Sequence, residues 1–102
     1  MVITVFRSRL RPEHADEFQA LAARMLMLAR AMPGFVSYKA FDSEDGERCS
    51  IIEFDTSEHL RAWREHPEHR RAQQLGRERF YAAYALYVAE PDRQAHFEHE
   101  PT

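Results

Sequence analysis

The stretch ADEFQALAARMLMLARAMPG, residues 15–34, decides how this chain folds. Apolar residues recur in it at steps of three and four, which is the period of an α-helix with one buried face. Pro33 cannot continue a helix, and Gly34 readily adopts the left-handed conformation that follows a last helical turn. We therefore predict a helix over residues 15–32 that ends in a turn, with Met27 outside its apolar stripe. The stripe consists of Phe18, Leu21, Ala22, Met25, Leu28, Ala29 and Met32.

Strand patterns lie on both sides of this helix. Residues 2–9 begin with β-branched and aromatic side chains and predict a first strand. Residues 35–42 and 47–54 predict two more strands, joined by Ser43-Glu-Asp-Gly46. The Asp-Gly pair of this connection supplies the positive dihedral angles of a tight hairpin, so the two strands should pair antiparallel.

An interrupted helix follows the hairpin. Ser57 stands in the position of an N-cap, and a short helix runs from it to Glu65. Pro67 interrupts that helix, because the residue before a proline avoids the helical region. A second helical piece then continues to about Leu75, where Gly76 can close it.

A last strand over residues 80–90 completes the order strand, helix, strand, strand, helix, strand. That order predicts an α+β fold of the ferredoxin-like βαββαβ type, with a four-stranded antiparallel sheet and the helices on one face. The domain should span residues 1–91. Residues 92–102 form a polar tail whose histidines, His96 and His99, are typical of a solvated chain end.

Both faces of the predicted sheet carry apolar side chains, and one layer of helices cannot bury both. A homodimer with its sheets packed face to face is the simplest closed solution. The alternative is a second face whose tyrosines stay partly open to water. In the last strand, alternation places Tyr81, Tyr87 and Ala89 on the face opposite to Tyr84, Leu86 and Val88.

The composition indicates a globular protein that binds neither nucleic acid nor membranes. The 102 residues suffice for one domain, and 14 basic and 17 acidic residues are interleaved without a basic block. The N-terminus begins a strand rather than a signal peptide, so we expect a cytoplasmic location. Cys49 is the only cysteine and should behave as a small hydrophobe. We predict no metal site.

The run SEHLRAWREHPEHR, residues 57–70, places three histidines near Trp63, the only tryptophan. Residues three and four apart share a helical face, so this region is predicted to face a ligand. The break at Pro67 assigns His66 and His69 to a junction and a new helical piece, and their convergence on Trp63 depends on how the two pieces bend. All three residues also have a purely structural interpretation. Trp63 is then a core residue, His66 a helix cap and His69 a partner in a surface ion pair.

Four pieces of the sequence, in this order of elements, match a known family: VITVFR (2–7), AMPGFVSY (31–38), SIIEF (50–54) and LRAWREHPEH (60–69). Through them the chain resembles the antibiotic biosynthesis monooxygenase (ABM) domain family of dimeric α+β barrel proteins. The resemblance covers about residues 1–90 and implies the dimeric α+β barrel fold. Members of this superfamily include oxygenases that use no cofactor, haem-degrading enzymes and isomerases.

In the quinone-forming members, the resemblance implies oxidation of an anthrone or quinol of polyketide type by molecular oxygen, without metal or flavin. A base would remove a proton and leave an electron-rich carbanion that reduces oxygen directly. Histidine titrates near neutral pH, tyrosine can donate to an oxyanion, and arginine can hold an anionic oxygen. The candidates are His66, His69 and Tyr81 for the base or the orienting hydroxyl, and Trp63, Tyr38 and Arg7 for substrate binding.

Two other functions remain open from the sequence. A non-catalytic dimeric domain would keep the fold and use its pocket for ligand binding or sensing. The haem-degrading relatives have an asparagine in the first strand and an axial histidine after the tryptophan. This chain has Phe6 and Gln73 at these two positions. Haem would then need His66 or His69 as its ligand. A cavity lined by Trp63, a tyrosine and one of these histidines would favour the oxygenase.

Overall fold

The computed structural model describes residues 1–101, and its elements follow the predicted order. The strands are β1 (Val2–Leu10), β2 (Phe35–Asp42), β3 (Arg48–Phe54) and β4 (Tyr81–Ala89), and the helices are α1 (Ala15–Ala31), α2 (Ser57–Arg64) and α3 (Pro67–Leu75). A 3₁₀ turn, Pro12–His14, precedes α1, and a π-helical turn, Gly76–Phe80, joins α3 to β4. The predicted ferredoxin-like α+β fold is confirmed. Within residues 1–101, no helix has both the length and the apolar character needed to cross a membrane.

The four strands form one antiparallel sheet in the order β2-β3-β1-β4. In the middle of the sheet, Thr4 of β1 lies opposite both Ile52 and Val88. Alternate side chains of a strand point to opposite faces. Val2 and Thr4 are accordingly buried under the helices, whereas Arg7 is exposed on the other side.

The core forms where α1 and α2 pack on the sheet. Phe54 has no exposed surface, and Trp63 retains 5%. Burial of a large apolar side chain contributes about 2 kcal/mol to stability, so these residues hold the helices in place. The stripe predicted for α1 is present, since Phe18 and Ala29 are buried while Met27 is 63% exposed. The core cluster is Val2, Ala29, Phe54, Leu60 and Trp63, with Met25, Leu28, Met32, Phe35 and Ile52 packed against it.

One predicted helix boundary is wrong and another is confirmed. The N-cap of α2 is Thr56 and not Ser57, because Thr56 has the extended backbone that a cap requires and its hydroxyl accepts from the His59 N–H at 3.1 Å. α3 ends at Leu75 with Gly76 as its C-cap, as predicted, although the backbone of Gly76 stays right-handed helical and the chain continues into the π-helical turn. Gly76 also lies against the ring of Tyr81, where an added Cβ would collide.

A β-bulge in β4 overturns the predicted alternation of its tyrosines. The register with β1 shifts between Arg9 and Leu10, which leaves Ala82 as an extra residue in β4. Tyr81 and Tyr84 therefore point to the same face, under the helices, and their ring centroids lie 5.8 Å apart. The prediction that Tyr81 faces away from Tyr84 was wrong, because a bulge moves every preceding side chain by one position.

Glycines with positive φ occupy the turns at both ends of β2. Gly34 has a φ of 81° after α1, as predicted, and Gly46 has a φ of 91° in the hairpin. Asp45 does not share the positive dihedral angle predicted for the Asp-Gly pair. Its carboxylate instead accepts from the Glu47 N–H at 3.0 Å, and this bond, followed by that from the Arg9 guanidinium, lowers the pKa of Asp45 to about 2.

The outer face of the sheet, on the side away from the helices, is charged at one end, and over the rest its apolar residues are interrupted by Lys39 and Glu53. At the charged end, Arg7 pairs with Glu47 at 2.6 Å between Nε and Oε1. Phe41 and Tyr87 keep 47% and 55% of their surface exposed, because no helix within residues 1–101 covers this face. The apolar residues of the outer face include Ile3, Val5, Phe41, Ile51 and Tyr87.

Gly34→Ala is expected to destabilise the protein more than Gly46→Ala. A positive φ costs a residue with a side chain about 1 kcal/mol at either position. At Gly34, an added Cβ would also collide with the carboxylate of Asp55 and the ring of His59, whereas nothing lies within 4 Å at Gly46. Urea denaturation should therefore show a loss of about 1 kcal/mol for Gly46→Ala and about 2–3 kcal/mol for Gly34→Ala. Equal losses would contradict a steric role for the close approach at Gly34.

Candidate active site

A cavity of about 340 Å³ lies between the helices and the sheet. Its volume is typical of small-molecule sites. The lining is mostly aromatic and aliphatic and contains no aspartate or glutamate. The cavity is open to solvent along β4, where the lining residues Tyr84, Leu86 and Val88 stay 46%, 49% and 45% exposed. The polar and aromatic lining includes Phe6, Phe18, Tyr38, Arg48, Trp63, Arg64, His69, Gln73, Arg77, Tyr81 and Tyr84.

Trp63 and His69 line this cavity as a stacked pair. Their ring centroids are 4.1 Å apart and their planes differ by 13°. Trp63 belongs to α2 and His69 to α3, so the rings meet only because the chain turns at Pro67. Nδ1 of His69 also lies 3.1 Å from the carbonyl oxygen of Trp63. The two residues that the sequence left on separate helical pieces are therefore in direct contact.

The hydrogen bond to the Trp63 carbonyl determines which ring nitrogen of His69 carries the proton. A carbonyl oxygen can only accept, so Nδ1 of His69 is the donor and Nε2 of the neutral ring keeps its lone pair. Burial lowers the pKa of His69 below its ordinary value, and the bond to the Trp63 carbonyl offsets part of that shift. At neutral pH, His69 is thus a neutral imidazole whose Nε2 can take up a proton.

Tyr81 lies in an aromatic cluster beside the cavity. Its ring centroid is 5.3 Å from that of Phe6 and 5.9 Å from that of Phe18. The absence of a side chain at Gly76 leaves room for the ring. Burial raises the pKa of Tyr81, so its hydroxyl stays protonated at neutral pH and can donate a hydrogen bond.

Arg48 lines the cavity although it was not predicted as a site residue from the sequence. Its Nη2 donates to the Tyr38 hydroxyl at 2.9 Å, and its guanidinium carbon lies 5.5 Å from the ring centroid of Phe18. The signal was present in β3, where Arg48 is in phase with the buried residues Ser50 and Phe54. Strand alternation therefore points Arg48 toward the helices.

The structure does not bring His66 or Arg7 to the cavity. His66 is the N-cap of α3, where its Nδ1 accepts from the Glu68 N–H at 3.2 Å. Arg7 points to the outer face because it is out of phase with the buried residues of β1, and it pairs there with Glu47. The other four nominated residues, Trp63, His69, Tyr81 and Tyr38, all line the cavity.

The positions compared with haem-degrading proteins also line the cavity, as Phe6 and Gln73. The Gln73 amide donates to the carbonyl oxygen of Arg64 at 3.3 Å and so joins α3 to the end of α2. In the described part of the chain, no three His, Cys, Asp or Glu side chains are grouped so as to hold a metal ion.

The arrangement combines four chemical capacities. Nε2 of His69 can remove a proton, the Tyr81 hydroxyl can donate to an oxygen, and Arg48 supplies positive charge. The Trp63 ring offers a flat apolar surface. A planar aromatic molecule with an acidic C–H or O–H group fits such a set, because a base and oxyanion donors then act on one bound ligand.

The family model for antibiotic biosynthesis monooxygenases matches residues 1–75 of the chain. The uncharacterized protein YqjZ of Bacillus subtilis (strain 168) is 33% identical over 94 residues, which span 92% of this chain and 82% of YqjZ.

Solved structures agree on the fold. Rv0793 from Mycobacterium tuberculosis superimposes with a TM-score of 0.81 at 25% identity, over 93% of this chain and 98% of that one. SnoaB, a cofactor-independent oxygenase from Streptomyces nogalater, gives a TM-score of 0.70 at 21% identity, over 88% of this chain and 93% of that one.

Replacing His69 should remove one pH-dependent part of the stability. The folded-state pKa of His69 lies below the ordinary value of 6.5, so the unfolded chain binds more protons between the two pKa values. The stability that this difference contributes is complete above pH 6.5 and is lost as the pH falls through the folded-state pKa. The unfolding free energy of wild type minus that of His69→Asn should therefore decrease from about pH 8 to about pH 5.

The matched control is His99→Asn in the exposed C-terminal tail. Its unfolding free energy should follow that of wild type across the same pH range. A pH-independent difference between wild type and His69→Asn would contradict the lowered pKa of His69.

Proposed function

The chain belongs to the antibiotic biosynthesis monooxygenase family, and on that premise we propose that it is a cofactor-independent monooxygenase. Its substrate would be an aromatic anthrone or quinol of polyketide type, and its oxidant molecular oxygen. The observation that carries the proposal is the stacked pair of Trp63 and His69 in a cavity whose lining has no carboxylate. The description of SnoaB as a cofactor-independent oxygenase on the same fold supports it.

The proposed reaction begins with proton removal. Nε2 of His69 takes a proton from the methylene carbon of an anthrone, and the resulting carbanion reduces oxygen and forms a carbon–oxygen bond. The peroxide then regains a proton from the imidazolium. Loss of the second methylene hydrogen and cleavage of the oxygen–oxygen bond give a quinone carbonyl and one water. One oxygen atom enters the product and the other leaves as water, and the methylene carbon supplies all four electrons that reduce the oxygen molecule.

The other cavity residues have supporting roles in the proposal. The Trp63 ring binds the flat face of the substrate by stacking. The Tyr81 hydroxyl, which stays protonated, donates to the oxygen on which the carbanion's charge is delocalised. His69 needs its unprotonated form to act, so activity should rise as the pH increases through the pKa of this residue. His66 and Arg7, which lie outside the cavity, have no role in this scheme.

We further propose that the protein is a homodimer that packs through the outer face of its sheet. The apolar residues of that face are open to water in the single chain, with Tyr87 55% and Phe41 47% exposed. Two sheets packed face to face would remove them from water and give a closed, two-fold assembly. The charged pairs around Arg7 would then lie at the rim of the interface.

Oxygen uptake with a panel of anthrones and quinols tests the proposed activity. His69→Gln keeps a polar side chain but cannot accept the proton, so kcat should fall by about 100-fold or more. Trp63→Phe should raise KM with a smaller effect on kcat, because it reduces the stacking surface. His66→Asn keeps a capping oxygen on α3 and should stay within about twofold of wild type.

Equal turnover in wild type and His69→Gln would contradict the assignment of the base. A loss in His66→Asn as large as that in His69→Gln would transfer the role to His66. Ligand binding without oxygen uptake by wild type, across the whole panel, would favour the alternative of a non-catalytic binding or sensing domain.

Light scattering after size-exclusion chromatography should give twice the chain mass of 12.1 kDa at low micromolar concentration. Tyr87→Glu should yield the monomer, because it places an unpaired charge in the proposed interface. The matched control is Met27→Glu, which puts the same charge on an exposed apolar residue of α1 and should leave the dimer intact. A monomeric wild type would contradict the proposed assembly.

A further inference from the structure

The charge of the cavity differs from that of the rest of the molecule. The chain has more acidic than basic residues, 17 against 14, yet the cavity lining contains three arginines and no acid. In the part of the chain that the structure describes, five of the ten arginines outside the cavity have a carboxylate partner, such as Glu47 for Arg7 and Glu68 for Arg24. The three cavity arginines are Arg48, Arg64 and Arg77. Within residues 1–101, none of them forms a salt bridge.

Arg48 is the innermost of these charges, because Arg64 and Arg77 are exposed while Arg48 is half-buried. Its guanidinium is held from one side by the Tyr38 hydroxyl at 2.9 Å and lies near the face of the Phe18 ring at 5.5 Å. A guanidinium has five N–H donors, and a single hydroxyl uses one of them. A cation that is partly removed from water without an acidic partner is costly unless something else supplies the counter-charge.

We propose that Arg48 and Tyr38 bind an anionic oxygen of the aromatic ligand, so that the cavity selects planar aromatics carrying a carboxylate or a phenolate. This inference rests on the proposed function, because it assigns the class of substrate for the same cavity. Arg48 can hold a carboxylate through two parallel N–H bonds or a phenolate through one, and the Tyr38 hydroxyl can turn to donate to the same oxygen.

The exposed arginines extend this selection to the approach of the ligand. Arg64 and Arg77 line the cavity near its solvent-exposed side and add positive charge without competing acids. Fixed charge of one sign at a cleft raises the local concentration of oppositely charged ligands, and salt weakens the effect. An anion fixed at Arg48 would also orient the flat ring that stacks on Trp63.

Calorimetric titration with two pairs of naphthalene probes tests the proposal. One pair is naphthoate and its neutral isostere naphthamide, and the other is nitronaphtholate and its neutral methyl ether. Quenching of the fluorescence of Trp63, the only tryptophan, reports whether a probe occupies the cavity. The proteins are wild type, Arg48→Gln, Arg48→Lys and Tyr38→Phe. The control for net charge is Arg30→Gln, which changes an exposed residue of α1 outside the cavity.

Wild type should bind at least one anion about tenfold or more tightly than its neutral partner. Arg48→Gln should abolish that preference without weakening the neutral probes, and Arg30→Gln should retain it. Arg48→Lys keeps the charge but loses the planar fork, so it should weaken naphthoate more than nitronaphtholate. Tyr38→Phe should reduce the preference for the anion partially. The preferred anion identifies the source of the charge, a carboxylate or a phenolate.

Equal affinity of wild type for both members of each pair would overturn the proposal, and so would an anion preference that survives in Arg48→Gln. Failure of both anions to bind at millimolar concentration would overturn it as well. If Arg48→Gln does not fold, as judged by circular dichroism, the Arg48→Lys and Tyr38→Phe variants decide in the same way. These readouts require no turnover. Anion selectivity without oxygen uptake supports this inference and refutes the proposed function, whereas oxidation of neutral anthrones without anion selectivity does the reverse.

Discussion

The stacking of His69 on Trp63 joins the two halves of the helical layer. Trp63 is anchored in the core, and Pro67 ends the helix that carries it, so α3 has no continuous backbone hydrogen bonding to α2. The stack and the bond from His69 Nδ1 to the Trp63 carbonyl set the direction in which α3 leaves the junction. The ion pair of Arg24 with Glu68 holds α3 to α1 from the other side. The space under the helices depends on this direction.

The same space depends on a glycine at the end of α3. Gly76 passes so close to Tyr81 that any side chain there would displace the ring. The π-helical turn that follows delivers the chain to β4, and the bulge at Ala82 then brings Tyr81 to the covered face. The imidazole of His69 on α3 and the phenol of Tyr81 on β4 thus reach one cavity through features of the backbone, whereas the core residues hold the helices on the sheet. The polarity of the lining adds a third constraint, because Arg48 is directed inward by strand alternation alone.

The sequence predicted the order of the elements, a first helix over residues 15–32 that is one residue longer than α1, and the family, because these depend on local periodicity and on contiguous motifs. It also predicted Trp63, His69, Tyr38 and Tyr81 as residues of interest. It could not predict that His69, and not His66, lines the cavity beside Trp63, since this depends on the path of the chain after Pro67. The bulge in β4 was equally hidden, because register is a property of two strands and not of one. Arg48 was visible in the alternation of β3 but resembled an ordinary charged strand residue.

The bulge at Ala82 has a consequence for how relatives of this chain are compared. Because strand register decides which tyrosine of β4 faces the cavity, the number of residues before Tyr84 matters as much as their identity. Two family members can share the residues of this strand and differ only in where an extra residue is inserted. Different side chains of the strand then face the cavity. Divergence of specificity in such a family can therefore occur by insertion or deletion of a single codon in this strand, without substitution of any residue that lines the cavity.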